Sequence, residues 1–162
     1  MKNYTFTDNN LILRTPNSPL VLRIFLYLIT LITGLLVISK LEHLVFSGDE
    51  IKILDLGILG IYGLIFFFIL RISLWNTFGS ENITISDNKI EYYADYGWFK
   101  DNKKSFELNN TTFELLKVGN EKDNKAVLII HNGEDKIQTV SEQPLSDLEN
   151  IIEEIKNWCQ PQ

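Results

Sequence analysis

The sequence has little of the side-chain chemistry on which catalysis and metal binding depend. It contains one cysteine and two histidines in 162 residues. A disulfide within the chain is therefore excluded, and no Cys, His and carboxylate cluster can be assembled at the usual ligand spacing. Nucleophile-elbow, Walker A and dinucleotide-binding motifs are also missing. We predict no catalytic residues, no cofactor and no metal, and we expect the protein not to be an enzyme.

Basic residues are scarce as well, and the charge is unevenly distributed. The chain carries 15 Lys and Arg against 21 Asp and Glu, which gives a net charge of −6. Residues 1–75 hold 6 basic and 5 acidic residues, whereas residues 76–162 hold 9 and 16. Nucleic acid binding needs a basic face for the phosphates, so nucleic acid is excluded as a partner. The sequence indicates no small-molecule substrate.

Two long apolar runs occupy the first half of the chain, at residues 20–41 and 53–75. As helices with a rise of about 1.5 Å per residue they measure about 33 and 35 Å, enough to cross a hydrocarbon layer of about 30 Å. The alternative, a buried hairpin of a soluble protein, would need a shell of further helices. The first run has no signal-peptide cleavage site after it, which favours a retained anchor. We predict a transmembrane hairpin over residues 20–75 with the loop 42–52 between its helices.

The positions of Lys and Arg predict the orientation of this hairpin. Arg14 and Arg23 precede or open the first span, and Arg71 closes the second. The loop 42–52 has a single lysine and three acidic residues. Because cytoplasmic flanks of spans are enriched in Lys and Arg, we place the N-terminus and the C-terminal domain in the cytoplasm. Cys159 then lies in a reducing compartment.

Small residues in the two spans predict where the helices meet. Gly57, Gly60 and Gly63 recur every three residues in the second span, and Gly34 lies at a similar depth in the first. Small residues let transmembrane helices approach closely. Two interpretations remain open: these glycines pack the two helices against each other, or they form a surface for a third helix from another protein.

From residue 79 onward the apolar period changes from helical to alternating, which is typical of strands. Six strands are predicted, and Asp87-Asn88 and Asn132-Gly133 mark two of the turns. The strands cover residues 81–86, 89–96, 103–108, 112–118, 126–131 and 135–140. Ser141–Pro144 then opens an amphipathic helix, in which six apolar residues share one face. These residues are Leu145, Leu148, Ile151, Ile152, Ile155 and Trp158.

The N-terminal tail, residues 1–19, also reads as strand, turn and strand. YTFTDNNLIL at 4–13 aligns without gaps on ITISDNKIEY at 83–92. Shared turn chemistry and duplication both explain the match. Our hypothesis is that the tail forms a β-hairpin that packs on, or extends, the sheet of the C-terminal domain.

Two candidate binding surfaces are adjacent in the sequence of the C-terminal domain. Trp98 and Phe99 are predicted to face outward as a partner surface, because aromatic residues are enriched in protein interfaces. Lys100, Lys103 and Lys104 form the one basic cluster, in a predicted loop at 100–104. That loop is either simply solvated or in contact with anionic lipid.

The predicted architecture resembles that of a known group of proteins. It consists of a two-helix membrane hairpin followed by an antiparallel sheet and one C-terminal helix. The residues that carry the resemblance are LWNTFGSENITISDNKIEYY (74–93) and SDLENIIEEIKNW (146–158). They resemble small bacterial inner-membrane proteins with a pleckstrin-homology-like cytoplasmic domain. The resemblance implies an α+β domain at 79–162, with an antiparallel sheet or barrel capped by a helix.

Two functional hypotheses follow. The first is a non-enzymatic accessory or scaffold subunit of a bacterial inner-membrane assembly, whose partners are other membrane proteins and the lipid bilayer. The second is a membrane-surface lipid or ligand sensor that uses the basic loop 100–104.

Overall fold

The computed structural model describes residues 4–7, 9–16, 18–48, 50, 52–86, 88–120 and 124–158, with backbone only at 110, 157 and 158. The predictions for Asp8, Asp87, Cys159 and the side chain of Trp158 lie outside the described residues. The chain divides into two compact units. Asn17–Thr77 form one unit, called here the helical hairpin. Met1–Pro16 and Phe78–Gln162 form the other, called here the sheet domain.

The helical hairpin consists of α1, Leu20–Phe46, and α2, Ile53–Phe78. At about 1.5 Å per residue, these helices are about 40 and 39 Å long. Both are apolar enough to cross a membrane, and at most 6% of the apolar window of either helix is buried. This exposure differs from the core helices of a soluble protein, so both are candidate transmembrane helices. α1 runs five residues past its predicted end at 41, which leaves a connection shorter than 42–52. α2 runs three residues past its predicted end at 75.

Polar contacts between described residues join α1 to α2. Near the connection, Lys40 Nζ lies 2.7 Å from Asp55 Oδ1. Toward the other end, Thr30 Oγ1 and Ser73 Oγ share a buried hydrogen bond of 2.8 Å. Each hydroxyl also lies within 2.9 Å of the carbonyl oxygen four residues back in its own helix. Because each hydroxyl has one proton, one of the two donates to its carbonyl while the other donates to the partner hydroxyl. Interhelical hydrogen bonds of this kind contribute about 0.6 kcal/mol on average in an apolar surrounding.

For the glycines of α2, the interpretation that they pack the two helices against each other is wrong. A Cβ built on Gly34 would lie 3.1 Å from Cε2 of Phe66, so the Phe66 ring fills the space over Gly34. Nothing lies within 4 Å of a Cβ built on Gly57, Gly60 or Gly63. A wide aromatic ring packs on Gly34, and the three glycines of α2 face elsewhere.

The first sheet of the sheet domain is antiparallel and combines both ends of the sequence. Its spatial order is β1-β2-β3-β4-β5. The pairing of β2 with β3 runs from Asn10 opposite Thr84 to Arg14 opposite Ser80. The N-terminal segment therefore extends the sheet, in agreement with the hypothesis. The strands are β1 Tyr4–Thr7, β2 Asn10–Arg14, β3 Ser80–Ser86, β4 Lys89–Asp95 and β5 Lys100–Glu107.

The second sheet is antiparallel and has four strands. β7 lies at its centre and pairs with β6, β8 and the short β9. The helix α3, Leu145–Trp158, follows β9 directly. The antiparallel sheets and the C-terminal helix agree with the sequence prediction, although the strands form two sheets. The strands are β6 Thr111–Val118, β7 Lys125–Asn132, β8 Asp135–Gln138 and β9 Gln143–Pro144.

Several strand bounds differ from their predictions, and two of the differences matter for the fold and the site. The start of α3 at Leu145 leaves Gln143–Pro144 extended, where it pairs with β7. Proline disfavours the helical conformation of the residue before it, so the helix cannot include Gln143. β5 begins at Lys100, three residues earlier than predicted. The segment 100–104, predicted as a loop, is therefore strand.

One apolar core joins both sheets to α3. The inward faces of β2, β3 and β4 meet those of β7 and β8, and α3 covers them with the face predicted from its periodicity. Complete burial of a large apolar side chain contributes about 1.5–3 kcal/mol. The core residues are Leu11, Leu13, Ile83, Ile85, Ile90, Tyr92, Ala126, Leu128, Ile130, Ile137, Leu148, Ile151 and Ile155.

A buried carboxylate lies within this domain. Glu81 on β3 has no solvent-exposed surface. Its Oε1 accepts hydrogen bonds from Tyr92 Oη at 2.6 Å and from the backbone N–H of Val140 at 2.8 Å. Its Oε2 accepts one from the N–H of Ser141 at 2.7 Å. Three short bonds offset the cost of removing the group from water and connect the first sheet to the segment that leads into β9.

We predict that Glu81→Gln lowers the free energy of unfolding by about 2–4 kcal/mol. A glutamine cannot replace the carboxylate, because its NH₂ group would face either the Val140 or the Ser141 N–H, donor against donor. Chemical unfolding followed by circular dichroism in detergent measures the change. The control is Glu91→Gln, since Glu91 is exposed on β4. Equal stability of the two variants would contradict the role given to Glu81.

Candidate functional site

A short turn positions the basic cluster. β4 ends at Asp95, and the Tyr96 N–H donates to the Phe99 carbonyl at 3.0 Å. Gly97 has a φ of +85°, a conformation that L side chains rarely adopt. Its N–H donates to Asp95 Oδ1 at 2.8 Å. Because the turn is confined to residues 96–99, strand pairing resumes at once and Lys100 pairs opposite Asp95.

A bulge then interrupts β5. Tyr92 pairs with Lys104 and Ala94 with Asp101, so two residues of β5 face one residue of β4. Asn102, one of the two, has a φ of +54°, which asparagine tolerates better than most residues. Its N–H donates to Asp101 Oδ1 at 2.7 Å. Bulges redirect neighbouring side chains, and this one brings Lys103 and Lys104 to the same concavity as Lys100.

The concavity is a pocket with a volume of about 350 Å³ between β4 and β5. It brings together all three predicted lysines, with one carboxylate among them. Two tyrosines and a serine complete the lining. The pocket is called here the lysine pocket, and it is lined by Glu91, Tyr92, Tyr93, Lys100, Lys103, Lys104 and Ser105.

The lysines differ in their contacts. Lys100 Nζ lies 4.4 Å from the centroid of the Tyr93 ring, a cation–π contact of about 0.5–1 kcal/mol at an exposed site. Lys104 Nζ donates to the Lys136 carbonyl at 2.8 Å, which links β5 to β8. Lys103 has no hydrogen bond or ion pair within the described part of the chain. Three ammonium groups against one carboxylate suit an anion with several oxygens, such as a phosphate.

The predicted aromatic surface is only half right. Trp98 is 77% exposed at the tip of the turn. Phe99 is half-buried and stacks on Tyr96, with ring centroids 4.7 Å apart and planes 10° apart. The prediction that Trp98 and Phe99 both face outward is therefore wrong for Phe99, because the tight turn places its ring beside that of Tyr96.

Sequence reasoning missed the other residues of the pocket. Glu91 and Tyr93 alternate along β4 and lie on its outward face, so the period-2 pattern contained that signal. Ser105 was assigned to a strand without a role. The Asp101-Asn102 pair marks the bulge but lies in the segment 100–104, which the sequence predicts as a loop.

Neither metal binding nor similarity to known proteins adds information about the function. No group of three or more His, Cys, Asp or Glu able to hold a metal occurs among the residues that the structure describes. His131 Nε2 lies 3.0 Å from Glu114 Oε2 as an exposed pair. Comparisons with models of protein families, with curated proteins and with solved structures found no match.

Tyr92 makes the stability of the sheet domain sensitive to alkaline pH. Burial raises the pKa of Tyr92 well above its usual range, and the charge of Glu81 and the hydrogen bond to it raise this pKa further. The folded state therefore holds the phenolic proton more tightly than the unfolded state does. The resulting stability is complete below about pH 10 and is lost as the pH rises above that value.

We predict that the free energy of unfolding falls between about pH 10 and 12 by up to about 1.4 kcal/mol per pH unit from this group. Tyr92→Phe removes that part of the slope and lowers stability at neutral pH, because Glu81 loses a donor. Tyr93→Phe keeps the slope and serves as the control. Unfolding curves at a series of pH values give the slopes, and identical slopes for the protein and Tyr92→Phe would exclude this mechanism.

Proposed function

We propose that the protein is an accessory subunit of a bacterial inner-membrane assembly, which acts through protein contacts rather than catalysis. The observation that carries the proposal is the open face of α2 at Gly57, Gly60 and Gly63, where α1 fills no space next to the glycines. Each glycine in a helix costs about 0.5–1 kcal/mol relative to alanine. The packing of α1 does not need these three glycines. Their presence therefore favours a helix of another protein as their partner.

The geometry of α2 suits such a contact. With 3.6 residues per turn, the three glycines spread over about 120° of the helix surface. Contacts between transmembrane helices depend on close packing, which small residues allow. The exposed surface of α2 outside this arc carries large apolar side chains such as Leu54 and Ile61, which suit lipid. The glycine face therefore fits a helix of another membrane protein.

The proposed orientation has both ends of the hairpin in the cytoplasm. β2 precedes α1 and pairs with β3, which follows α2. If both helices cross the membrane, this pairing requires the two ends to lie on the same side. Arg14, Arg23 and Arg71 at those ends favour the cytoplasmic side. The order of antiparallel strands followed by α3 supports the resemblance to pleckstrin-homology-like domains.

We predict that Gly60→Leu abolishes capture of the partner without unfolding the chain. A Cβ built on Gly60 meets nothing within 4 Å in the protein itself, whereas a leucine there fills the space that a partner helix needs. The measurement is mild detergent extraction of tagged full-length protein, followed by identification of what co-purifies.

The matched control is Ile65→Phe. Ile65 is exposed on α2 and lies about 140° around the helix from Gly60, so added bulk there leaves the glycine face intact. A partner retained by Ile65→Phe and lost by Gly60→Leu supports the proposal. Recovery only as a monomer in several detergents, or the same partner with both variants, counts against it.

A second candidate function is the recognition of an anionic group at the membrane surface, and the lysine pocket favours it. The sheet domain is acidic overall, yet three lysines of this pocket surround one concavity. Lysines near an anionic membrane contribute about 1 kcal/mol each. Together Lys100, Lys103 and Lys104 can supply about 3 kcal/mol, a factor of about 100 in affinity.

We predict that nanodiscs containing phosphatidylglycerol stabilise the full-length protein by up to about 3 kcal/mol over phosphatidylcholine nanodiscs. Changing Lys100, Lys103 and Lys104 to Ala should remove this difference. Changing the exposed Lys89, Lys117 and Lys156 to Ala, with the same loss of charge, should preserve it. Stabilisation by inorganic phosphate in phosphatidylcholine nanodiscs would instead identify a soluble phosphate ligand. No effect of either anion would exclude this candidate.

A further inference from the structure

Trp98 is the most exposed large apolar residue of the described sheet domain, at 77%. It lies at the tip of the turn between β4 and β5, and the bond from the Tyr96 N–H to the Phe99 carbonyl closes this turn. An indole held in water at a tight turn adds nothing to the core. Its apolar area stabilises the protein only when another apolar phase covers it.

The turn is fixed to the residue at which α2 ends. A Cβ built on Gly97 would lie 3.0 Å from the Cβ of Phe78 and 3.2 Å from its Cγ. Phe78 is the last residue of α2 and the first of the sheet domain. The backbone of Gly97, next to Trp98, therefore packs directly on the residue where the apolar helix gives way to the first sheet.

That position matches the chemistry of a membrane–water interface. Tryptophan is enriched there because its ring is apolar while its N–H can bond to headgroups or water. Phe78 is itself 54% exposed beside the turn. Lys100, one residue beyond the turn, has a long stem that can carry its ammonium toward phosphates.

We propose that the turn Tyr96–Phe99 is a membrane-interface anchor, in which Trp98 inserts among the lipid headgroups next to the end of α2. The inference rests on the proposed crossing of the membrane by α2. It is independent of the identity of a protein partner and of an anion in the lysine pocket. The apolar phase that covers the Trp98 ring is, in this proposal, the same bilayer that surrounds α2.

The test is tryptophan fluorescence of the full-length protein in phosphatidylcholine vesicles. Trp75 and Trp158 are changed to Phe, so that Trp98 alone emits. We expect blue-shifted emission, quenching by lipids spin-labelled near the headgroup, and iodide quenching several-fold weaker than at a water-exposed turn. The comparison is Glu134→Trp in a chain without the native tryptophans, because Glu134 is an exposed turn residue between β7 and β8.

The proposal would be overturned if Trp98 showed the same emission wavelength and the same iodide quenching as the tryptophan of the Glu134→Trp chain. If the tryptophan substitutions prevent folding, a spin label on Trp98→Cys in a Cys159→Ser chain replaces fluorescence. Its collisions with oxygen should exceed those of a label on Glu134→Cys, and its collisions with a water-soluble nickel chelate should be fewer; equal values would overturn the proposal.

Failure of the anchor and failure of the membrane span are distinguishable. A chain that leaves the membrane fraction on carbonate washing contradicts the span, and with it the anchor. A chain that stays in the membrane while Trp98 remains in water contradicts the anchor alone.

Discussion

The sheet domain depends on the buried carboxylate of Glu81. This one side chain of β3 accepts hydrogen bonds from β4 and from two consecutive backbone amides that precede β9. Those amides lie in the segment that delivers α3 to the core. Removing a carboxylate from water is costly, and only a complete set of donors offsets that cost. The hydrogen bonds of Glu81 therefore stabilise one relative placement of the two sheets. Apolar contacts alone are compatible with several placements.

Local pattern was enough to predict much of this fold. Alternation identified the strands, and the apolar spacing of α3 identified the face that buries Leu148, Ile151 and Ile155. Glu81 was beyond such reasoning, because a charged residue near the start of a strand is usually solvent-facing and two of its three donors are about 60 residues away. The site was predicted in part: composition identified the lysines, but the bulge that gathers them depends on the pairing of β4 with β5.

The two units offer different chemistry to their surroundings. The helical hairpin has a face of three glycines that its own packing leaves open. The sheet domain has a cluster of lysines within an acidic chain, and an exposed indole. Net charge is therefore a poor guide to binding here. The average over residues 76–162 is acidic, yet the lysine pocket presents three cations to a ligand.

The pairing of β2 with β3 also sets an order of events during synthesis. Asn10 and Thr84 are opposite each other in the sheet but 74 residues apart in the chain. At about 5–20 residues per second, the ribosome needs on the order of 4 to 15 s to make the intervening segment. Until then the N-terminal hairpin has an unpaired edge. The first sheet can close only after both apolar helices have been made, so its closure comes after the synthesis of the whole hairpin.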